Sequence, residues 1–258
     1  MSQIRVGVIG ANGRMGAAVC EAVRAAVGLE FVAAVDPTMP ADYVSGDGAV
    51  FGRELRVLAE AGCDVAVDFT VADASRATLP FLAMHGIHAV VGTTGFDDRD
   101  LDTFRSAFTG SGANCLIAAN FAISAVLMMR FAEMAAPFFD TAEIIELHHD
   151  AKVDAPSGTA LETARRMVPA SEGWAPDPTR HIEVDAARGG VGPNGVRMHS
   201  VRMRGMTAHQ EVILGAAGQT LTIRQDSYDR SSFMPGVVLA CRRIADMPGL
   251  TLGLDALL

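Results

Sequence analysis

Side chains that could transfer a proton and hold an anion are concentrated between Glu143 and Ala160. The pattern predicts a strand over residues 143–148, then a loop, then the first turn of a helix. Successive side chains of a strand point to opposite faces, so Glu146 and His148 share one face. Histidine titrates near neutral pH and is a common proton donor. We therefore expect His148 to donate a proton while Glu146 orients its ring and holds its charge state.

Beside this histidine the sequence supplies a cation and a place for a carboxylate. Lys152 follows closely enough to reach the same site, where it would bind an anion or deliver a proton. Ser157 suits the N-cap of the helix that follows. The N–H groups of Gly158 and Thr159 would then lie at a helix N-terminus, which attracts negative charge. This set suits a small dicarboxylate that receives hydride from a nicotinamide and a proton from the protein.

Simpler roles are open for some of these residues. His149 could be a packed core histidine, and Asp154 could only stabilise the loop. The adjacent histidines stand near Asp150, but a metal-ligand spacing such as H-E-x-x-H is missing. We therefore expect no metal.

The N-terminal region has the order of elements of a dinucleotide-binding βαβ unit. A strand is predicted over Ile4–Ile9, a helix over residues 17–26, and a second strand over Phe31–Val35. The turn between the first strand and the helix is Gly10-Ala11-Asn12-Gly13-Arg14-Met15-Gly16. Such glycines let backbone N–H groups approach a pyrophosphate, and the helix N-terminus faces the phosphates. The Gly-x-x-Gly-x-x-Gly spacing is weak alone, but an acid about 20 residues beyond it favours a nucleotide site.

That acid is Asp36, which would accept hydrogen bonds from the adenosine ribose hydroxyls and so favour NADH. Pro37 follows it, so no arginine stands directly after the acid to hold a 2′-phosphate. Arg14 in the glycine loop could still do so. Asp36 could also be a solvated turn residue, and the choice between NADH and NADPH stays open.

Small or polar residues follow each further strand of this half. Strands are predicted over residues 65–69, 89–91 and 116–118, a helix over 73–85, and a loop over 40–52. Ligands of open parallel sheets bind along the carboxyl edge of the strands. The candidate nucleotide contacts at this edge are Gly92, Thr93, Thr94, Ala118, Ala119, Asn120 and Phe121. Any one of them could be ordinary loop chemistry, but the set indicates a binding edge.

The second half alternates as strands do. A Met- and Ala-rich helix over residues 123–136 leads into it, and another helix is predicted over 160–168. Strands are predicted over 182–184, 196–203, 210–215 and 220–225, and a last helix over 235–244. Runs of strands after a βαβ half predict a second domain with a mixed or antiparallel sheet.

Composition excludes some classes of protein. The chain has 258 residues and a net charge of -9, which argues against a nucleic-acid partner. No apolar run approaches the roughly 20 residues of a membrane helix, and no signal peptide is expected before the first strand. The four cysteines are far apart and are expected to be buried, reduced thiols.

The whole chain resembles the bacterial 4-hydroxy-tetrahydrodipicolinate (dihydrodipicolinate) reductase family. The family signature E-[IV]-x-E-x-H-x-x-x-K-x-D-x-P-S-G-T-A is filled without a gap from Glu143 to Ala160. Further segments similar to the family, in family order, are residues 10–16, 68–70, 92–95, 118–121 and 199–202. Many members have a third histidine where this chain has Ala151, and its loss is expected to weaken carboxylate binding without removing catalysis.

The resemblance implies a role for each matching residue. His148 would be the main proton donor and Lys152 a second catalytic group. The substrate carboxylates would be held by His149, Lys152, Gly158 and Thr159. NADH, NADPH or both would be bound by Gly10, Ala11, Asn12, Gly13, Arg14, Met15, Asp36, Gly92, Thr93, Thr94, Ala118, Ala119, Asn120 and Phe121.

The resemblance also implies the architecture and the setting. A Rossmann-like dinucleotide-binding domain would span residues 1–121, with a C-terminal return at about 233–258. An α+β domain with a mixed sheet, for substrate binding and tetramerisation, would span 122–232. Family members are typically cytoplasmic homotetramers.

The implied reaction is reduction of a hydroxylated tetrahydrodipicolinate in diaminopimelate and lysine biosynthesis. Loss of water, hydride delivery to C4 and protonation by His148 with Lys152 would give tetrahydrodipicolinate. Two alternatives are another two-domain NAD(P)-dependent oxidoreductase and a non-catalytic dinucleotide sensor. Neither accounts for the unbroken histidine–lysine–PSGTA stretch.

Overall fold

The structure, a computed structural model, describes residues 3–40, 46 and 48–258. Its strands are β1 (Ile4–Ile9), β2 (Leu29–Val35), β3 (Val50–Gly52), β4 (Val65–Asp68), β5 (His88–Val91), β6 (Cys115–Ile117), β7 (Thr141–His148), β8 (Gly190–Val191), β9 (Arg197–Arg202), β10 (Ala208–Ala216), β11 (Gln219–Ser227) and β12 (Leu250–Leu252). Its α-helices are α1 (Arg14–Ala25), α2 (Arg56–Glu60), α3 (Ala72–Met84), α4 (Asp98–Phe108), α5 (Ile123–Ala135), α6 (Gly158–Met167) and α7 (Met234–Arg243). Two compact units result: Met1–Ile123 with Arg230–Leu258 (unit 1), and Ser124–Asp229 (unit 2).

Unit 1 contains a seven-stranded parallel sheet in the order β12-β6-β5-β4-β1-β2-β3. Its central strands are short runs of Val and Ala, with Val6, Val67 and Val90 almost completely buried. Such runs suit a parallel sheet that is covered on both faces. The chain leaves β1 for β2 on one side and later returns to β4 on the other. That reversal places a ligand crevice at the carboxyl ends of β1 and β4.

Unit 2 is built on a five-stranded mixed sheet in the order β11-β10-β7-β9-β8. The central strand β7 pairs antiparallel with β10 and parallel with β9. Ile144 and Glu146 are buried on one face of β7. Helix α6 lies on this face, where the Gln210 amide donates a 2.8 Å hydrogen bond to the Thr163 hydroxyl. The predicted fold class, a parallel nucleotide-binding sheet with a mixed-sheet domain, is confirmed.

The structure corrects two expectations about local structure. Residues 182–184 are not a strand: Ile182 and Val184 are exposed, and the chain turns directly afterwards at Ala186, whose φ is 61°. The predicted loop over 40–52 ends in strand β3, which pairs with β2. Residues 41–45 and 47 of that loop lie outside the described residues.

No helix in the described part of the chain is both long and apolar enough to cross a membrane. All four cysteines are free and buried, as expected.

Candidate active site

The last residue of β7, His148, is held by a buried carboxylate on the same strand. Its Nδ1 lies 2.5 Å from Glu146 Oε2, and the Glu146 side chain is completely buried. The strand alternation places both side chains on one face, so the predicted contact is confirmed. An ionised carboxylate only accepts hydrogen bonds, so Nδ1 carries the proton in this pair. The other ring nitrogen of His148, Nε2, takes no part in this pair.

Arg202, a residue without a predicted role, completes this arrangement. Parallel pairing of β9 with β7 places Arg202 opposite His148. Its Nη1 and Nη2 donate to Glu146 Oε2 and Oε1 at 2.9 and 2.8 Å, which is the bidentate geometry of strong ion pairs. Nη2 also donates to the Asp154 carbonyl at 2.8 Å and so ties the loop to the strand. The only sequence signal was the family-like segment 199–202.

The charges of this group follow from burial and these contacts. Burial would raise the pKa of Glu146, but hydrogen bonds from Arg202, Ser200 and His148 outweigh it and lower the pKa. Burial lowers the pKa of His148, Glu146 opposes this, and the nearby cations Lys152 and Arg202 add to it. The net direction for the pKa of His148 is downward from its ordinary value, so its imidazole is mostly neutral at pH 7.

Lys152 lies in the loop after β7 and pairs with Asp154. Its Nζ donates to both carboxylate oxygens of Asp154 at 2.7 and 2.8 Å. Asp154 is exposed, whereas the Lys152 side chain is only 20% exposed. Because the pair is at the surface, it is weak enough to exchange for another anion. His149 is exposed, and its carbonyl accepts from Lys152 N at 3.2 Å.

Helix α6 begins beside the same glutamate. Ser157 is its N-cap, and Ser157 Oγ accepts from Ala160 N at 3.2 Å, as predicted. Ser157 N donates to Glu146 Oε1 at 3.3 Å, so the helix start and the histidine are held by one carboxylate. A Cβ added to Gly158 would meet no atom within 4 Å. Packing therefore does not require a glycine at position 158, and the space beside this first residue of α6 is open.

The glycine loop of unit 1 has the geometry expected of a phosphate-binding turn. Gly10 has a φ of +75°, and a Cβ on Gly16 would lie 2.0 Å from the Gly10 carbonyl oxygen. Only glycine lets α1 approach the end of β1 this closely. Gly13 is the N-cap of α1 and has no side chain to cap it, so the first N–H groups of the helix can face an anion. Arg14 is the first residue of α1 and is exposed.

Asp36 lies at the end of β2, close to this loop. Asn12 N donates to Asp36 Oδ2 at 3.1 Å. Thr38 N and Thr38 Oγ donate to Asp36 Oδ1 at 2.9 and 2.6 Å. These contacts show that Asp36 is not a freely solvated turn residue, since its side chain is buried against the loop.

The remaining candidate nucleotide contacts follow the neighbouring strands β5 and β6. Gly92 leaves no space for a side chain, because its Cβ would meet the Phe69 ring at 2.0 Å. That ring also packs against Phe121, with 5.5 Å between centroids. The buried carboxylate of Asp68 accepts from Thr93 Oγ at 3.4 Å. Thr94 continues the loop after β5, and Ala118, Ala119 and Asn120 that after β6.

The predicted residues therefore form two groups, one in each unit. Unit 1 carries the glycine loop, Asp36 and the segments after β5 and β6 along the carboxyl edge of its sheet. Unit 2 carries His148, Lys152 and the start of α6. Within the described chain, no three His, Cys, Asp or Glu side chains are arranged to hold a metal ion.

Two family models match this chain over nearly its whole length. The model described as "Dihydrodipicolinate reductase, N-terminus" matches residues 4–121, and "Dihydrodipicolinate reductase, C-terminus" matches residues 124–258.

Named relatives agree with these matches. The 4-hydroxy-tetrahydrodipicolinate reductase of Nocardia farcinica is 54% identical, over 99% of this chain and 98% of that protein. Its namesake in Corynebacterium aurimucosum is 51% identical, over 98% and 97%. A solved structure, the dipicolinate-bound dihydrodipicolinate reductase of Paenisporosarcina sp. TG-14, matches with a TM-score of 0.90 and 35% identity, over 99% of this chain and 100% of that one. Both units are therefore shared with these proteins.

Proposed function

Because the chain belongs to the dihydrodipicolinate reductase family, we propose that unit 1 binds NAD(P)H and that unit 2 binds and protonates the substrate. The reaction is the NAD(P)H-dependent reduction of 4-hydroxy-tetrahydrodipicolinate to tetrahydrodipicolinate, a step of diaminopimelate and lysine biosynthesis. The assignment of residues to roles is our proposal.

The observation that carries this assignment is the position of Glu146. One oxygen accepts from His148 and the other from Ser157 N at the start of α6. A proton donor and an anion-binding helix end are thus fixed to one buried carboxylate, which Arg202 keeps ionised. A substrate that carries two carboxylates on one ring needs the proton donor and the anion-binding helix N-terminus to lie close together.

The substrate carboxylates are proposed to lie at the N-terminus of α6 and beside Lys152. Gly158 and Thr159 contribute N–H groups and the helix dipole there. Lys152 would exchange its exposed partner Asp154 for a substrate carboxylate. His149, which is exposed beside it, would add a further donor.

His148 is proposed to supply the proton that the ring needs after it loses water and gains hydride. NAD(P)H supplies that hydride, at C4 of the conjugated imine. Added hydride pushes an electron pair onto the imine end of the ring, and a proton from His148 Nε2 neutralises it. A dianionic substrate next to His148 raises its pKa, which reverses the lowering seen in the free protein. Lys152 assists by offsetting the negative charge.

The dinucleotide fits the residues of unit 1. The uncapped start of α1 would hold the pyrophosphate, with Gly10 to Met15 around it, and Asp36 would accept from the adenosine ribose. The segments Gly92–Thr94 and Ala118–Phe121 would lie along the nicotinamide half. Asp36 favours NADH, while the exposed Arg14 could meet a 2′-phosphate, so both nucleotides are expected to be accepted.

We also propose a cytoplasmic homotetramer formed through the sheet of unit 2. Ile145, Leu147 and Ile213 lie on the face of that sheet opposite Ile144 and Glu146, and they are only partly buried. Strand β11 is an edge of this sheet and offers unpaired backbone groups to a second copy. Buried, reduced cysteines suit a reducing compartment.

A coupled absorbance assay tests the function. Pyruvate and aspartate semialdehyde, with the upstream synthase, generate the unstable substrate in the cuvette, and NADH and NADPH are titrated separately. We expect oxidation of reduced nucleotide that depends on this protein. Nucleotide binding without oxidation of either cofactor would contradict the proposal and would favour the dinucleotide sensor or another substrate.

A further inference from the structure

A closed ring of hydrogen bonds surrounds the acid at the end of β2. Asn12 N donates to Asp36 Oδ2, Thr38 Oγ donates to Asp36 Oδ1, and Asn12 Nδ2 donates to Thr38 Oγ at 2.8 Å. The Thr38 hydroxyl therefore accepts from one member of the ring and donates to the other. Because the hydroxyl has a single proton, which it donates to Asp36, the donors and acceptors around the ring are fixed.

The ring limits what Asp36 can offer to a ribose. A carboxylate has about four positions for accepting hydrogen bonds. Thr38 N and Thr38 Oγ occupy both positions of Oδ1, and Asn12 N occupies one of Oδ2. One accepting position on Oδ2 is left, so Asp36 can accept a hydrogen bond from one ribose hydroxyl rather than from two.

The ring also fixes a negative charge at that point. Burial would raise the pKa of Asp36, but the hydrogen bonds from Thr38 and Asn12 outweigh it and lower the pKa. Asp36 is therefore ionised throughout the neutral range. A 2′-phosphate placed against a fixed carboxylate meets like charge, whereas a 2′-hydroxyl can donate to it.

We propose that Thr38 is a specificity-determining residue: with Asn12, it holds Asp36 so that the carboxylate accepts one ribose hydroxyl and repels a 2′-phosphate. This inference rests on the proposed function, because it assigns unit 1 to NAD(P)H. Thr38 acts through Asp36 and is a positioning residue. It is exposed, so its replacement leaves the core intact.

Direct binding of the two nucleotides to the full chain tests this role. The fluorescence of NADH and of NADPH is titrated with wild type, Thr38→Val and Thr38→Ser, and each melting temperature is recorded. Without the Thr38 hydroxyl, the Asp36 carboxylate is no longer held in one orientation toward the ribose. The ratio Kd(NADPH)/Kd(NADH) should therefore fall by about 3- to 10-fold in Thr38→Val, the scale of one typical hydrogen bond. Thr38→Ser keeps the hydroxyl and should stay within about twofold of wild type.

The outcomes are distinct. The inference is overturned if the ratio Kd(NADPH)/Kd(NADH) is unchanged or higher in Thr38→Val, or if this variant weakens the binding of both nucleotides equally. It is also overturned if Thr38→Ser does not keep a ratio close to that of wild type. Asn12→Ala breaks the same ring from the other side and should shift the ratio in the same direction. If the wild-type protein binds neither nucleotide, the proposed function itself is contradicted. If the ratio Kd(NADPH)/Kd(NADH) shifts as expected but the protein shows no turnover, only the proposed reaction is contradicted.

Discussion

Replacing Glu146 by Gln tests whether this carboxylate organises the site. Glu146 accepts from His148, from both terminal nitrogens of Arg202 and from Ser157 N. Glutamine keeps the shape but exchanges one oxygen for a donor. Arg202 and Ser157 N can only donate, so either orientation of the amide puts two donors face to face. The partly buried guanidinium of Arg202 also loses its counterion.

The magnitudes follow from burial. Breaking a buried ion pair by removing one partner costs about 3–5 kcal/mol. The Arg202 side chain is 19% exposed, so water relieves part of that cost and the lower end applies. A loss of about 3 kcal/mol corresponds to a Tm decrease of roughly 6–12 °C for a chain of this size. A misoriented imidazole should cost about 10²-fold in kcat, within the range that general acids contribute.

The pH dependence should change as well. A general acid must be protonated, so kcat/KM falls as pH rises through the pKa of His148 in the free protein, which lies below the ordinary 6.5. Glu146 raises that pKa, so Glu146→Gln should move the fall in kcat/KM to lower pH.

A double variant separates activity from stability. Adding Arg202→Met to Glu146→Gln removes the unpaired charge and should restore about 2 kcal/mol. Activity should stay low, because His148 still lacks its partner. The coupled assay and thermal unfolding measure the two quantities on the same samples. Normal kcat in Glu146→Gln, or kcat that returns with stability in the double variant, would refute the positioning role.

Other predictions concern ligand contacts. Gly158→Val fills space that no protein atom occupies, so Tm should stay unchanged. The KM for the substrate should rise about 10-fold at nearly constant kcat, as expected when ground-state binding is lost. A fall in kcat alone would contradict the anion site. Lys152→Met should reduce kcat/KM by about 10²-fold, whereas Asp154→Asn, which removes only the exposed partner of the lysine, should leave Tm nearly unchanged. Equal kinetic losses in both variants would assign the function to the pair rather than to the lysine. Gly16→Ala pushes a Cβ against the Gly10 carbonyl oxygen and should weaken nucleotide binding at least about 10-fold, since the phosphate-binding turn must open; unchanged titration curves would remove this turn from the nucleotide site.

Local patterns predicted the elements that carry most of the site. The predicted bounds of strand β1 match the observed ones, and the predicted start of β7 differs by two residues, because apolar spacing and adjacent turns mark both strands. The pairing of Glu146 with His148 follows from strand alternation alone. The N-cap role of Ser157 follows from its residue type and the helix behind it.

Longer-range features were not predictable in this way. Arg202 meets Glu146 only because β9 pairs with β7 in one particular register, and no local pattern fixes that register. Strands β3 and β12 have three residues each, too few to show a period. Thr38 joins Asn12 across 26 residues through the folded loop. Helix α4 was not predicted, although the capping box of Asp97 and Asp100 is a local signal for its start.

The proton-donor role of His148 is tested most directly by the turnover of His148→Gln in the coupled assay, with saturating NADH or NADPH. Gln keeps a polar side chain at the end of β7 but cannot deliver a proton. We expect kcat to fall by roughly 10²–10⁴-fold while the Kd values for both nucleotides stay at wild-type levels. A kcat within about threefold of wild type, far below the loss expected for a general acid, would contradict it and would require another proton donor.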